Sequence, residues 1–377
     1  MRNRFRHIFS ALLVRNLLHL KKFIFLFSFV LLFNFYNGRV YAQNSSDTTA
    51  ISKPAVKYIE KFDTIISIKL NVNTEFDEFE QKGDNFHWDL RPNISLSTKL
   101  SFSYRYISFG IGFKPKFIPG NNDNDMQGKT KALGFGLNIL TIHWMQELQF
   151  AYVSGFYIYN SEDAIPGWIK GQDPYFLLPD LKVAMLRGST GYKINKNFSL
   201  KAVSSKTEIQ LKSCGSIIPY LTYNYNEIDN KSSDTSQHSS QRSHNLDVAA
   251  SLGYIYTFVI KSKFYATLGL FPGIGFHHAN LLTRYPDENV RTKYTDPLYE
   301  IKETIGIGYN SKKFYSGAEL TAEQFTHNDN HSSVQTKATR GYFQIFIGYR
   351  FNAPKFLKQK ADEVKNLAPT PVQKFLN

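Results

Sequence analysis

The chain has 377 residues and a formal net charge of +14, and 42% of its residues are hydrophobic. Its mean hydropathy of −0.33 excludes a helical membrane protein with several apolar spans of about 20 residues. The 32 Phe and 23 Tyr exclude a disordered chain. A single Cys excludes an internal disulfide and every Cys-rich zinc pattern. We therefore expect one large β domain or two ordinary domains, with no cofactor.

Residues 1–42 are predicted to be a secretory signal peptide. Six basic residues precede an apolar stretch over 23–36, which is shorter than the roughly 18 residues of a spanning helix. Val40 and Ala42 supply the small residues of a cleavage site. The alternative is an uncleaved inner-membrane anchor. The first 42 residues also hold seven Lys or Arg and no acidic residue. Cleavage of the signal peptide would therefore remove half of the net charge of +14. An exported chain does not meet a genome, and we predict no nucleic-acid partner.

The remaining chain alternates between apolar and polar residues with a period of two, which is typical of β-strands. In 93–104 (NISLSTKLSFSY), Leu100 and Phe102 fall on one face, and Lys99 and Ser101 fall on the other. Similar segments follow over 64–73, 107–117, 131–142, 145–158, 182–193, 197–226, 246–260, 264–279, 298–309, 312–326 and 336–351. Only the tail after Phe351 has helical spacing. The predicted fold is therefore all-β.

The connections between these segments alternate in length along the chain. Short ones fall near 105–106, 142–143, 194–196, 261–263 and 310–312, and long polar ones cover 75–92, 119–130, 160–179, 227–244, 280–297 and 327–335. Aromatic residues, Phe198 among them, flank the short connections. Both features predict a transmembrane antiparallel up-and-down β-barrel of about 12 strands, with short periplasmic turns and long external loops. A soluble barrel with aromatic corners is the alternative.

The barrel interpretation divides the chain into four parts. Residues 1–42 are the signal peptide, 43–62 a periplasmic N-terminal segment, 63–351 the β-barrel domain, and 352–377 a C-terminal periplasmic tail. The segment Gln344–Phe351 is expected to close the barrel against Ile66–Val72, because an open sheet edge in lipid leaves backbone groups unsatisfied. The predicted location is the outer membrane of the cell, with its lipid as a partner.

One segment, 197–226, is much longer than the roughly 9–11 residues of a tilted spanning strand. A bend near 204–206 or 213–216, an excursion into the lumen, or a division into two strands would each absorb the surplus. Glu208, Gln210 and Lys212 share one face of it and are predicted to form a polar cluster in the lumen. We expect Lys212 to pair with Glu208, and the cluster to brace the segment, contact a solute or simply line the lumen.

The same segment carries a family resemblance. Phe198-Ser199, the run Thr207–Ser216 and Arg91-Pro92-Asn93 resemble motifs of the family called domain of unknown function 4421. Cys214 stands where the resemblance leads us to expect a smaller residue such as Ala. The resemblance implies an exported, β-barrel-like protein of Bacteroidetes-type Gram-negative bacteria. It implies no catalytic residues.

Signals for other chemistry are weaker. His143, at a short turn, fits a histidine at the headgroup level better than a catalytic one, because no serine lies in a nucleophile motif. His277 and His278 are adjacent and should point to opposite faces. His327 and His331 have metal-ligand spacing, and 121–125 (NNDND) offers oxygen ligands for Ca²⁺ without the glycine and glutamate of an EF-hand. We predict no metal site and no enzymatic activity.

The function predicted from the sequence is the passage or binding of a small or amphipathic molecule, or a structural role in the envelope. Eight-stranded barrels are filled and those of sixteen to eighteen strands are open, so twelve strands predict a narrow or plugged lumen. The ligand and the oligomeric state stay open. An outer-membrane lipid hydrolase and a soluble, exported β-rich binding protein are the alternatives.

Overall fold

Twelve antiparallel strands close into a barrel in the computed structural model of the chain. The structure describes residues 57–62, 64–82, 87–93, 96–105, 107–113, 115, 117, 123–230, 240–285, 287–327 and 335–367. The predicted signal peptide and the last ten residues of the predicted tail lie outside the described residues.

The strands are β1 Ile59–Lys61, β2 Ile65–Lys82, β3 His87–Pro92, β4 Ser97–Tyr104, β5 Ile107–Phe113, β6 Lys131–Leu140, β7 Trp144–Ile158, β8 Phe176–Tyr192, β9 Glu208–Gln210, β10 Cys214–Asn230, β11 Ser240–Ile260, β12 Phe264–Arg284, β13 Asn289–Asn310, β14 Phe314–His327 and β15 Gln335–Asn352. The helical elements are α1 Asn124–Gln127, a 3-10 turn at Ser161–Asp163, α2 Leu200–Val203 and α3 Lys355–Leu367. Within the described residues, no helix has the length and apolar character needed to cross a membrane.

The barrel consists of β2, β4 to β8 and β10 to β15, each paired with its neighbours along the chain. The last strand, β15, pairs with β2 from Gln335 opposite Lys82 to Asn352 opposite Ile65. The predicted closure of the final segment against the first strand is therefore confirmed. Closure pairs the two end strands of the barrel sheet with each other, so neither is left as an open edge.

Inward and outward faces follow the alternation in the sequence. Leu252 is 63% exposed on the outer face, whereas its neighbour Ser251 is 7% exposed and faces the lumen. At the end of the barrel that carries the short turns, outward aromatic side chains pack against one another, such as Trp144 on Tyr192 with ring centroids 5.2 Å apart. This ring of aromatics is typical of one membrane interface. Phe198 is an exception to the prediction, because it is fully buried inside the barrel.

Several strands extend well beyond the segments that the sequence predicted. β11 and β12 have 21 residues each and β13 has 22, so half of the predicted loop 227–244 and most of the predicted loop 280–297 are paired strand. A spanning strand needs only about 9–11 residues. The surplus forms hairpins that continue past the apolar band, at what we term the long-loop end. The sequence of these hairpins predicted loops because it is polar. Strands that lie in water carry polar side chains on both faces, so the alternation of polar and apolar residues is lost.

The opposite part of the wall is short. β4, β5 and β6 have 8, 7 and 10 residues. At the long-loop end β3 takes their place, pairing with β2 on one side and with β7 on the other. At Gly155 the pairing of β7 with β6 ends and the register of β7 with β8 shifts. The φ of Gly155 is +87°, and a Cβ there would overlap the carbonyl of Lys129. Only glycine adopts this conformation at so close an approach.

Segments on both sides of the barrel domain contact it at the short-turn end. β1, in the predicted N-terminal segment, pairs with β9 rather than with a barrel strand. α3 confirms the helical spacing in the tail, and its Asp362 accepts a hydrogen bond from Arg105 in the turn after β4, at 2.7 Å.

Candidate functional site in the barrel lumen

Residues 193–213, between β8 and β10, fold back into the lumen at the short-turn end and are here called the plug. Because Ile194 and Asn195 bond to Ile217 and Ser216 at the start of β10, the plug leaves and re-enters the wall at adjacent points. β10 then crosses the barrel once. Of the alternatives for the overlong segment, the excursion into the lumen is the one observed.

The plug packs its apolar residues on an apolar part of the inner wall. Phe198 and Leu200 are 0% and 6% exposed, and they form one core cluster with Ile218, Ile255 and Phe271 from the wall. Each such side chain contributes about 1.5–3 kcal/mol when fully buried. The apolar residues at these inward positions are therefore explained by the plug and not by lipid.

Polar contacts fold the plug on itself. Ser199 caps α2 by accepting from the backbone N–H of Ala202, and its hydroxyl donates to Glu208 Oε2 at 2.5 Å. Gln210 accepts from the N–H of Ser199 at 2.8 Å and donates to the carbonyl of Asn197 at 2.9 Å. Glu208 and Gln210 thus hold β9 beside α2.

Lys212 does not join this cluster through its side chain, which is exposed; only its carbonyl accepts from Gln210, at 3.1 Å. The cation nearest Glu208 is instead Lys201, 3.9 Å away. The expected pairing of Lys212 with Glu208 is therefore wrong. β9 ends at Gln210, so the alternation of faces that grouped the three residues does not continue to Lys212.

A buried lysine fastens the plug to the wall. Lys206 is fully buried, and its Nζ lies 2.8 Å from Glu319 Oε1 and 3.0 Å from the Tyr265 hydroxyl. Its backbone has a φ of +57°, and its carbonyl accepts from Arg350 Nε at 2.6 Å. A left-handed conformation is uncommon for a non-glycine residue, and these contacts on both sides of the residue maintain it.

Lys193, at the start of the plug, is a second buried ammonium. It is 3% exposed and donates to the carbonyl of Phe198. Burial lowers the pKa of Lys193 to about 8, with the carboxylate of Glu208 acting in the opposite direction. The alternating pattern did not single out this residue.

A cavity of about 350 Å³ lies in the lumen above the plug. The plug residues Leu200, Val203, Ser204 and Ser205 form its floor. Five cationic side chains and three carboxylates line it, together with hydroxyl and amide groups: Lys69, Lys99, Arg187, Lys302, Arg340, Glu147, Glu319 and Glu323. All of these charged residues occupy polar positions of alternating strands. This pattern is the signal from which the sequence could have identified them as lumen residues.

Ionic and hydrogen-bonded bridges cross the lumen beside this cavity. Arg187 on β8 donates to Glu323 on β14, on the other side of the barrel. Glu300 accepts from Thr222 at 2.9 Å and Ser251 at 2.7 Å, and Lys302 donates to Tyr220 at 2.7 Å. These bridges lie next to β10–β14, and their residues Arg187, Lys302 and Glu323 also line the cavity, which extends to β4–β7.

The histidines discussed above and the described part of the acidic loop over 121–125 do not add a site. His277 faces inward, with Nδ1 2.5 Å from Asp247 Oδ1, and stacks on His327 at 4.0 Å, while His278 bonds Thr295 at 2.8 Å. His143 Nδ1 lies 2.8 Å from the carbonyl of Lys193. Among the described residues, no group of three or more His, Cys, Asp or Glu is placed to hold a metal ion. His331 and residues 121–122 lie outside that part of the chain.

Comparison with known proteins identifies a family. The family model Domain of unknown function (DUF4421) matches residues 45–351. No curated protein matches the sequence.

Three similar solved structures are barrels of low sequence identity. The translocator domain of autotransporter NalP from Neisseria meningitidis is 7% identical, with 76% of this chain and 88% of that chain covered and a TM-score of 0.35. The outer membrane protein OmpT of Vibrio cholerae is 9% identical, with 76% and 98% covered and a TM-score of 0.29. Ail, the attachment invasion locus protein of Yersinia pestis, is 10% identical, with 77% and 100% covered and a TM-score of 0.18.

Proposed function

The chain belongs to the family described as Domain of unknown function (DUF4421), and from that premise we propose that it is a plugged barrel of the outer membrane. It binds a small solute in its lumen from the long-loop end and lets the solute pass only when the plug moves. The observation that carries this proposal is the position of the plug, which forms the floor of the cavity. A cavity whose floor is a segment inserted between two strands is suited to binding followed by gated passage.

The outer surface supports the membrane location. Aliphatic side chains such as Ile307 and Ile345, 59% and 60% exposed, cover the outward face. They lie between the aromatic residues at the short-turn end and the long-loop end. Such a face matches the lipid-facing band of a transmembrane barrel. Extraction of the full chain from membranes should therefore require detergent. A form that stays in solution without detergent would favour the soluble binding protein instead.

Passage is tested by removing the plug. Because Asn195 and Ser216 are hydrogen-bonded neighbours, residues 196–213 can be replaced by a two-residue Asn-Gly turn. In planar lipid bilayers the variant should conduct several-fold more current than the full chain. Heat-modifiable migration on gels shows that both barrels are folded. Equal conductance of two folded barrels would contradict the proposal.

The lipid-hydrolase alternative has less support. A hydrolase acting on lipid needs a serine, a histidine and an acid together at the membrane boundary. The pair His277 and Asp247 is buried on the lumen side, with the ring of His327 stacked on His277. His143, on the outside, packs on Tyr192 with ring centroids 5.4 Å apart. We propose that the protein is not an enzyme, and a lipase assay of the refolded chain would test this directly.

A further inference from the structure

The charges of the cavity point to the chemistry of its solute. Five cations against three carboxylates leave the lining net positive. Two of the carboxylates are already paired: Glu319 with Lys206 of the plug, which does not line the cavity, and Glu323 with Arg187, which does. A positive, partly enclosed space concentrates anions because its low-dielectric walls focus the field.

Lys69 is the cation with the fewest contacts of its own. Among the described residues, its side chain has no hydrogen bond or ion pair, and its Nζ lies 5.4 Å from the ring centroid of Phe346. Its ammonium faces the cavity, and the acidic group that acts on it, Glu319, already pairs with Lys206. An anion bound in the cavity would therefore supply this ammonium with a carboxylate or phosphate partner of its own.

Lys99 brings a second ammonium to the same side. It is a diagonal neighbour of Lys69, since Lys69 pairs with Ser101 and Lys99 pairs with Asn71 across β2 and β4. The two side chains lie on the same face at a spacing of about 7–8 Å between strand positions. Lys99 extends over β5 towards Gly136 on β6, whereas the Lys69 ammonium lies near Phe346 on β15, so an anion between them would be attracted from two sides.

Two glycines leave room for the side chain of Lys99. A Cβ at Gly110 would overlap the Lys99 side chain, and a Cβ at Gly136 would lie 3.6 Å from Lys99 Nζ. Hydroxyl and amide groups from Ser101, Ser108 and Asn138 line the same wall and can donate to anionic oxygen atoms. A volume of about 350 Å³ is at the lower end of the range for ligand pockets.

We propose that the cavity binds a small organic anion, carrying carboxylate or phosphate groups, between Lys69 and Lys99. This inference rests on the proposed function, because it names the class of solute that the plugged barrel binds. The lysines hold the anion by charge, and the neighbouring hydroxyl and amide groups orient it. Binding should weaken as the salt concentration rises, since salt screens the attraction.

The first test is equilibrium binding to the full chain in detergent, by titration calorimetry at low ionic strength. The probes are citrate and inorganic phosphate, with glucose and choline as neutral and cationic controls. We expect citrate or phosphate to bind and the two controls to give no heat. Lys69→Met should weaken the binding by about tenfold or more, as expected for a lost hydrogen bond to a charged group. Lys69→Arg should retain it.

Lys293→Met is the matched control, because Lys293 is exposed on β13. It should leave binding unchanged, and heat-modifiable migration shows whether each variant is folded. Absence of binding by both anions, or equal weakening by Lys69→Met and Lys293→Met, would overturn the inference.

The second test separates this inference from the proposed function. In the variant that lacks the plug, a KCl gradient should give a reversal potential of the sign expected for anion selectivity, and Lys69→Met with Lys99→Met should abolish it. If this variant conducts without selectivity, the anion inference fails while gated passage stands. If it does not conduct, gated passage fails while the calorimetric result still decides on anion binding.

Discussion

The wall formed by β10–β13 and the wall formed by β4–β6 share one antiparallel ladder and both line the cavity, yet their inward side chains differ. In the first, inward side chains such as Glu300 and Lys302 reach partners on other strands of the same wall. In the second, inward positions carry serine and glycine, including Gly110 and Gly136. The two walls therefore differ in the size of their inward side chains, and we call β10–β13 the filled side and β4–β7 the open side.

The plug contributes to this difference. Its apolar residues cover Ile218, Ile255 and Phe271 on the filled side, and its Lys206 reaches Glu319 on β14. On the open side the same cluster includes Leu140 of β6, with Met145 of β7 packed against it, and the upper surface of the plug is the floor of the cavity. Substitutions on the two sides should therefore differ in cost, and the following predictions measure that difference in decreasing order.

The largest effect is expected at the ion pair of the plug. Glu319→Leu leaves the buried ammonium of Lys206 without its carboxylate, which should cost about 3–5 kcal/mol. On the open side, Glu147 accepts a hydrogen bond from the Ser189 hydroxyl at 3.3 Å. Glu147→Gln keeps an oxygen that can accept this bond, so it should cost less than about 1 kcal/mol. Labelling of Cys214 by a bulky thiol reagent reports the result, because this buried thiol contacts Asn195 of the plug at 3.2 Å. Equal labelling rates in the two variants would show that the pair does not hold the plug.

The second comparison uses arginine on both faces of the wall. Leu100→Arg faces lipid and should cost roughly 2–4 kcal/mol, whereas Ser101→Arg faces the cavity and should cost much less. On the filled side Leu252→Arg and Ser251→Arg should both be destabilising, because Ser251 is buried and bonds Glu300. Urea unfolding in lipid vesicles measures all four. A small cost for Ser251→Arg would mean that the filled side is also open.

The third comparison places a methyl group on glycine. A Cβ at Gly253 would overlap the ring of Phe271, so Gly253→Ala should destabilise by about 1–3 kcal/mol. A Cβ at Gly112 meets nothing within 4 Å, so Gly112→Ala should be neutral or stabilising by up to about 1 kcal/mol. The same unfolding assay applies. Reversal of this order would move the open space to the other wall.

The smallest effect concerns pH at the plug. Burial lowers the pKa of Lys193 to about 8 from 10.5, so the buried charge destabilises the plug below pH 8 and this cost disappears as the pH rises towards 10.5. Glu208, Lys201, Lys61 and Cys214 are the other titratable groups that act on it. The test measures the rate of chymotryptic cleavage at Phe198 in the wild type and in Lys193→Met. The ratio of the wild-type rate to the variant rate should fall as the pH rises from 7 to 9.5. A ratio independent of pH would exclude Lys193 as the cause.

The sequence alone determined the barrel and its closure. Alternation over segments such as 93–104 distinguishes the lipid face from the lumen face, because successive side chains of a strand point in opposite directions. The pairing of Gln344–Phe351 with Ile66–Val72 followed from the requirement that no strand edge remain open in lipid. These properties depend on local periodicity and on general constraints, both of which are visible in the residues themselves.

Only the tertiary structure decided what meets inside the lumen. Lys206 and Glu319 are 113 positions apart and Arg187 and Glu323 are 136 apart, and alternation tells which face a residue takes but not which strand lies opposite. The same limit explains the error at Lys212, where a strand of three residues ended before the alternation could apply. The path of the plug, and with it the cavity, depends on contacts across a closed barrel that no local pattern contains.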